Sequence, residues 1–169
     1  MTPWSYGSRD FAIKAHEGQS YGGFLYEVHL DHVVQVLTRF GIADDSRIVD
    51  AAFLHDTLED TDVTYDDIKK AFGWPTAKIV DAVSDGEGKN RRERKERPYT
   101  LIPKVAGALP VKLADRIANV ESCWALKNES LKKAYYGEYP TFVERLYYDE
   151  SPEPVQRMWA YLRAVCMGW

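Results

Sequence analysis

A chain of 169 residues, 45% hydrophobic and 28% charged, is long and apolar enough to bury a core, which excludes an intrinsically disordered protein. Its net charge of −4 excludes the broad positive surface of a general nucleic-acid binder. Its two cysteines, Cys123 and Cys166, lie far apart without metal-type spacing and exclude a disulfide framework or zinc knuckle. Met1–Trp4 carries neither a basic leader nor an apolar h-region, and no apolar run reaches the roughly 18 residues of a membrane span. A cytoplasmic protein with no membrane or nucleic-acid partner is expected.

In chain order the elements read as helices. Phe11, Ala12 and Ala15 at helical spacing predict a helix from Ser8 to Gly18, with Ser8 as its N-cap. Gly18 to Gly23 reads as a loop with unusual backbone angles. A helix over Tyr26–Phe40 follows, with Val33, Val36, Leu37 and Phe40 as its core stripe and Gly41 as its stop. The next is capped by Asp44 or Asp45, carries Ile48, Ala51, Ala52 and Leu54, and runs on into an acidic cluster. Thr64–Asp67 resembles a capping box opening a short helix that closes at Phe72-Gly73, and Ile79, Val80 and Val83 mark another after Pro75.

The stretch Asp85–Arg97 changes texture. Gly86, Gly88 and Asn90 loosen it, while Lys89, Arg91, Arg92, Arg94, Lys95 and Arg97 make it basic. It reads either as a solvated face or as a mobile arm closing over an anionic ligand, with arginine forks suited to phosphate. Past Pro110 a strongly apolar helix carries Asp115 one turn from Asn119. Two aromatic-rich helices end the chain, Lys127–Tyr148 with an interruption near Pro140, then Glu153–Val165. No stretch alternates as a strand does, so the expectation is an all-α bundle. It forms one domain over residues 1–169, the helices of 127–167 packing on a core of about 11–121.

The chemistry concentrates in Ala51–Thr61, where His55, Asp56, Glu59 and Asp60 stand among apolar neighbours. On a helix His55 lies one turn from Glu59 and Asp56 one turn from Asp60. With His29 and His32 on an earlier helix and Asp115 on a later one, the donors are imidazoles and carboxylates without thiolate. That set suits Mn²⁺, Fe²⁺, Co²⁺ or a catalytic Zn²⁺. Such an ion acidifies a bound water and polarises a phosphoryl oxygen.

His29, the His55-Asp56 pair, and Asp115 within Val-Lys-Leu-Ala-Asp-Arg follow the H…HD…D pattern of the HD-superfamily metal-dependent phosphohydrolases. The flanks Ala-Phe-Leu-His-Asp-Thr-Leu-Glu-Asp-Thr-Asp-Val-Thr, Ile-Lys-Lys-Ala-Phe-Gly and Val-Lys-Leu-Ala-Asp-Arg-Ile-Ala-Asn are similar to the hydrolase domain of RelA/SpoT alarmone enzymes. In layout the chain resembles the stand-alone small alarmone hydrolases, over about Phe11 to Glu121. The resemblance implies an HD-domain bundle with His29, His55, Asp56 and Asp115 as metal ligands. His29 is preferred over His32 because it follows Tyr26 in a Tyr-x-x-His turn. It implies that Glu59 and Asp60 position and deprotonate the attacking water, with titrations that influence each other, and that Asn119 contacts the substrate. Lys112 and Arg116, flanking Asp115, would neutralise phosphate charge.

The implied activity is Mn²⁺-dependent hydrolysis of (p)ppGpp at its 3′-diphosphate, releasing pyrophosphate, with a small nucleotide as the partner. The alternatives are an HD phosphohydrolase acting on another nucleotide, as triphosphohydrolase or nucleotidase, and a catalytically silent nucleotide-sensing module. The chain departs from the family where alarmone hydrolases carry an Arg-Lys pair: Ser20–Tyr26 has no basic residue, and Leu30 replaces the Pro after the first His. Base recognition then falls to aromatic side chains such as Tyr21, Phe24 or Tyr135, with Arg91 and Arg92 on the phosphates. Oligomeric state is left open by the residues.

Overall fold

The computed structural model describes residues 7–167; residues 1–6, including the stretch inspected for a leader, and 168–169 lie outside the described residues. Helix α1 (Ser8–Ala15) is one turn shorter than expected, and Gly7 is its N-cap. Ser8 makes no cap: its hydroxyl donates to Asp50 at 2.6 Å, a contact 42 residues away in sequence. The expected loop after α1 contains a minimal hairpin, β1 (Ser20–Tyr21) paired antiparallel with β2 (Phe24–Leu25), Ser20 opposite Leu25 and Tyr21 opposite Phe24. Gly22 and Gly23 turn it with φ of +59° and +88°, the positive pair a two-residue hairpin turn demands. Two-residue strands are too short to show alternation, so this pairing was invisible to periodicity.

Helix α2 (Glu27–Arg39) buries Leu30, Val33, Val36 and Leu37 and ends before Gly41 at φ +77°. Helix α3 (Ser46–Leu54) starts at Asp45, whose carboxylate accepts the Arg47 N–H at 3.0 Å. The helix was expected to end within the acidic cluster, but it stops just ahead of it, at Leu54. The chain breaks at His55-Asp56 and restarts as a single turn, α4 (Thr57–Asp60). The Thr57 hydroxyl donates to the Leu54 carbonyl at 2.7 Å, the local side-chain competition that interrupts helices. Helix α5 (Tyr65–Phe72) has the expected capping box between Thr64 and Asp67, and α6 (Trp74–Val83) follows Gly73.

The basic segment is largely helical. Helix α7 (Arg91–Leu101) is capped by Asn90, whose side chain accepts the Glu93 N–H at 3.0 Å, and leads through a 3-10 turn at Ile102–Lys104 into α8. Helix α8 (Ala108–Ala125) is the central rod, with Val111, Leu113, Ala114, Ile117, Ala118 and Val120 fully buried. It packs on α2, α3 and α6 on one side and on the C-terminal helices on the other. Helix α9 (Glu129–Leu146) runs unbroken through Pro140, where an interruption was expected, and α10 (Glu153–Met167) closes the chain. Phe142, Leu146, Met158 and Leu162 from these two helices join the same buried core as α2 and α8. Among the described residues no helix is long and apolar enough to cross a membrane.

Candidate metal centre and its cavity

Three packed helices bring the donors together. His29 comes from the first turns of α2, His55 and Asp56 from the break after α3, and Asp115 from the middle of α8. The Nε2 atoms of His29 and His55 face each other at 3.3 Å. Asp56 Oδ2 lies 2.9 Å from His55 Nε2 and 3.6 Å from His29 Nε2, and Asp115 Oδ1 is 3.6 Å from both imidazoles. Both histidines are 2% exposed, while the side chains of Asp56 and Asp115 keep 18% and 13% of their surface open to the adjoining cavity.

The arrangement fits a bound cation. His55 Nδ1 donates to the Ala52 carbonyl at 2.8 Å, which leaves the lone pair of Nε2 aimed at the cluster. The two imidazole nitrogens, 3.3 Å apart, and the two carboxylates beside them converge on one point, where a shared proton or a cation would hold them together. Burial alone would push a proton off His55, yet Asp56 and Asp115 outweigh it and raise its pKa well above the usual value. The same field draws a metal ion. Burial likewise opposes ionisation of both carboxylates, but His55 and His29 keep Asp56, and His55 and Lys112 keep Asp115, well below the usual carboxylate range. Donors about 2.1 Å from a common ion and at right angles stand about 3.0 Å apart, close to the spacings seen here. His29, His55 and Asp115 form a candidate metal site.

Neighbouring groups hold the cluster in place. Tyr26 donates its hydroxyl to Asp56 Oδ2 at 2.6 Å. Asn119 Nδ2 donates to Asp115 Oδ1 at 2.5 Å, and Tyr21 donates to the Asn119 oxygen. The Tyr21 ring stacks on His29 with centroids 4.5 Å apart. The hairpin therefore delivers one aromatic residue directly onto a candidate ligand.

The cluster opens into a cavity of about 620 Å³ lined by Tyr21, Glu59, Asp60, Asp85, Asn119 and Tyr135 together with five cations, Arg91, Arg94, Lys95, Lys112 and Arg116. A larger hollow of about 730 Å³ lies between α1 and the hairpin, but it contains none of the candidate ligands. Glu59 and Asp60 project from α4 beside the cluster. Protein crowded around Glu59 pushes its pKa up, helped by Asp56 and Asp85 and opposed by Lys112. Crowding raises Asp60 in the same way, with Asp56 adding to it and His16 and His55 opposing. The principal charged neighbours of each are thus other residues, not its acidic partner. Glu59 Oε1 also accepts the Asp85 N–H at 2.8 Å.

The opposite wall is basic. Lys112 is buried, donates to the Val83 carbonyl at 3.0 Å and lies 3.8 Å from Asp115 Oδ2. Arg116 is also buried, with its guanidinium over the rings of Tyr135 and Phe142. Helix α7 contributes Arg91, Arg94 and Lys95, one helical face. Arg92 is exposed and is not among the lining residues. Nor is the segment a free arm. The Gly86 N–H bonds the Arg94 carbonyl at 2.9 Å, Lys95 pairs with Asp85 at 2.9 Å, and Arg97 bonds Asp81 at 2.6 Å. His32 stands apart, 2.7 Å from Glu121 in a group with Arg39 and Tyr161. Asp85, which lines this cavity, and Glu138, which pairs with Arg91 and Arg116 on its wall, were not singled out by residue type and spacing.

These features define a helical bundle built around a His/Asp cluster that is a candidate metal site, and the chain belongs to the HD domain family, whose model matches residues 8–139. Among curated relatives, it is 38% identical over 129 residues to the guanosine-3′,5′-bis(diphosphate) 3′-pyrophosphohydrolase of Aquifex aeolicus, covering 73% of this chain and 18% of that protein. It is 34% identical over 115 residues to the Danio rerio 3′-pyrophosphohydrolase MESH1, covering 66% of this chain and 64% of that protein. It is 30% identical over 134 residues to Xenopus tropicalis MESH1, covering 77% and 75%. The chain therefore spans under two thirds of the first two relatives. In fold it is similar to a solved structure described as a metazoan ortholog of SpoT that hydrolyzes ppGpp, with a TM-score of 0.77 and 22% identity over 92% of this chain and 91% of that one.

Proposed function

We propose that this protein is a metal-dependent phosphohydrolase that removes the 3′-diphosphate of (p)ppGpp as pyrophosphate. One observation carries the reading: His29, His55, Asp56 and Asp115 converge at 2.9–3.6 Å, and the acidic pair Glu59 and Asp60 and a five-cation wall share their cavity. His29, His55, Asp56 and Asp115 would hold a divalent ion, Mn²⁺ in this reading, which supplies Lewis acidity and a more acidic water. Glu59 and Asp60, poised with raised pKa values, accept the proton of the attacking water. Water oxygen bonds to the phosphorus next to the 3′ oxygen, and the bond between that phosphorus and the 3′ oxygen breaks. The 3′ oxygen takes up a proton, balancing the one given to the acidic pair, and becomes the nucleotide's 3′-hydroxyl, while the former diphosphate is released as pyrophosphate. Lys112, Arg91 and Arg116 neutralise the charge that accumulates on the phosphoryl oxygens. Tyr21, Asn119 and Tyr135 line the space left for the nucleoside. The relatives named for this activity in Aquifex aeolicus and Danio rerio support the assignment.

A second reading concerns the base. The hairpin carries no arginine, so guanine has no cation–π partner there, a contact worth roughly 0.5–2 kcal/mol. That is at most about thirtyfold in affinity. Turnover of ppGpp together with at least one non-guanine nucleotide is therefore expected in a Mn²⁺-supplemented screen of alarmones, nucleoside triphosphates, monophosphates and NADPH. Strict guanine specificity would expose a base reader other than the hairpin. Inactivity on ppGpp alone would transfer the assignment to another nucleotide, and inactivity on every nucleotide would favour a silent sensor.

A further inference from the structure

The cations on the cavity wall are held mainly by carboxylates of the protein itself. Lys112 approaches Asp115 and Lys95 pairs with Asp85. Arg91 and Arg116 share a single carboxylate, Glu138, from α9. Unlike the other two acids, Glu138 ties together two helices to which it does not belong, α7 and α8. Arg91 meets it through Nε and, at 3.4 Å, Nη2, while Arg116 Nη2 stands 3.0 Å from its Oε2.

Both guanidiniums also share an aromatic floor, their centres 5.3 Å and 4.8 Å from the Tyr135 ring. This is a fork-on-anion arrangement of the kind arginines make with phosphate. It has an unused donor as well. Arg116 is 4% exposed, and its Nη1 is buried with no hydrogen-bond partner among the described residues. The Glu138 carboxylate therefore does not serve every N–H of this guanidinium. Burial would raise the Glu138 carboxyl, but Arg91 and Arg116 hold its pKa below the usual value, so it stands there as an anion at neutral pH.

We propose that Glu138 is a resident counter-anion occupying a phosphate subsite between Arg91 and Arg116, and that a substrate phosphate must displace it. The inference rests on the reading of this cavity as a phosphate site. Its consequence is selectivity by charge: ligands with several phosphates compete with a tethered carboxylate, whereas weakly charged ones do not. Glu138 would therefore weaken affinity for every phosphate while sharpening discrimination among them.

Calorimetric titration of inorganic pyrophosphate into the metal-loaded protein tests this without turnover. Glu138→Gln keeps the shape and removes the charge, and should lower the pyrophosphate Kd by roughly tenfold. The double variant Arg91→Ala/Glu138→Gln should lose most of that gain, because the gain is expressed through the arginines. Glu138→Asp keeps the charge but cannot span both guanidiniums, and should move Kd the same way by a smaller factor, which serves if the glutamine variant does not fold. Unchanged or weaker pyrophosphate binding in the folded Gln or Asp variant overturns the proposal and makes Glu138 a strut that positions the arginines. Absence of pyrophosphate binding in wild type and variants alike overturns it together with the phosphate-site reading. Binding without hydrolysis of ppGpp would sink the proposed activity alone.

Discussion

Replacing Glu59 by Gln isolates the proposed proton acceptor. The substitution preserves the side-chain shape and one oxygen, so the 2.8 Å bond from the Asp85 N–H survives and the loop after α6 keeps its anchor. What disappears is the basic oxygen beside the His/Asp cluster. Positioned general bases contribute roughly 10²–10⁴-fold, and 10² corresponds to about 2.7 kcal/mol of activation free energy. Asp60 is the neighbouring carboxylate on α4, so the loss should fall near the lower end, about 10² in kcat, with metal content unchanged. The pH profile carries the mechanism. Because the Glu59 pKa is raised above 4.5, it is deprotonated only as pH climbs past that value, and kcat/KM of wild type should rise along an acidic limb. In the Gln variant that limb should move or vanish. Steady-state kinetics of pyrophosphate release between pH 5 and 8, with metal analysis of each protein, supplies the readout. A variant with near-native kcat and an unmoved acidic limb would remove Glu59 from the mechanism.

Further expectations follow from the same geometry. Arg91→Ala should raise KM in a salt-sensitive manner while Arg92→Ala, exposed and off the cavity, should not; equal effects would show that general surface charge, not the wall, attracts the substrate. Glu121 offers a test in stability. Burial would raise its pKa, but His32, Tyr161 and Arg39 lower it from 4.5 to about 2, so its contribution is complete above pH 4.5 and is lost as pH falls toward 2. Glu121→Gln should therefore cost about 1–2 kcal/mol near pH 7, discounted for solvent access, and much less near pH 3 in urea unfolding; an identical cost at both would refute the linkage.

The parts of the site that were legible before the fold was known are those whose residue types form a joint pattern along the chain. His55-Asp56 followed by Glu59-Asp60 in an otherwise apolar stretch is by itself no more than an acidic helix end; it signals function only jointly with His29 and with Asp115 in a buried helix, the pattern that resembles the HD phosphohydrolases. Deciding between His29 and His32 required more than spacing, because both lie on one helix; in the fold His29 meets His55 and His32 meets Glu121. Helix α7 was hidden for a physical reason. It has almost no apolar stripe, burying only Pro98 and Tyr99, and is held by ion pairs to α6, α9 and the preceding loop. The break at His55 was hidden because the Thr57 hydroxyl competes for a carbonyl in a way that composition does not announce. Glu138 was unreadable in principle: its neighbours, Arg91 and Arg116, are 47 and 22 positions away and meet it only after α7, α8 and α9 pack.

The central claim is that one divalent ion, held by His29, His55, Asp56 and Asp115, makes this chain a ppGpp 3′-pyrophosphohydrolase. The most direct measurement is to strip the protein of metal, titrate Mn²⁺ back, and follow pyrophosphate and GDP released from ppGpp alongside bound metal per chain, in wild type and in His55→Ala. The products should appear in proportion to occupancy of one ion per chain, and His55→Ala should lose both the ion and the products. Full hydrolysis by metal-stripped protein, or unchanged metal stoichiometry in His55→Ala, would contradict it.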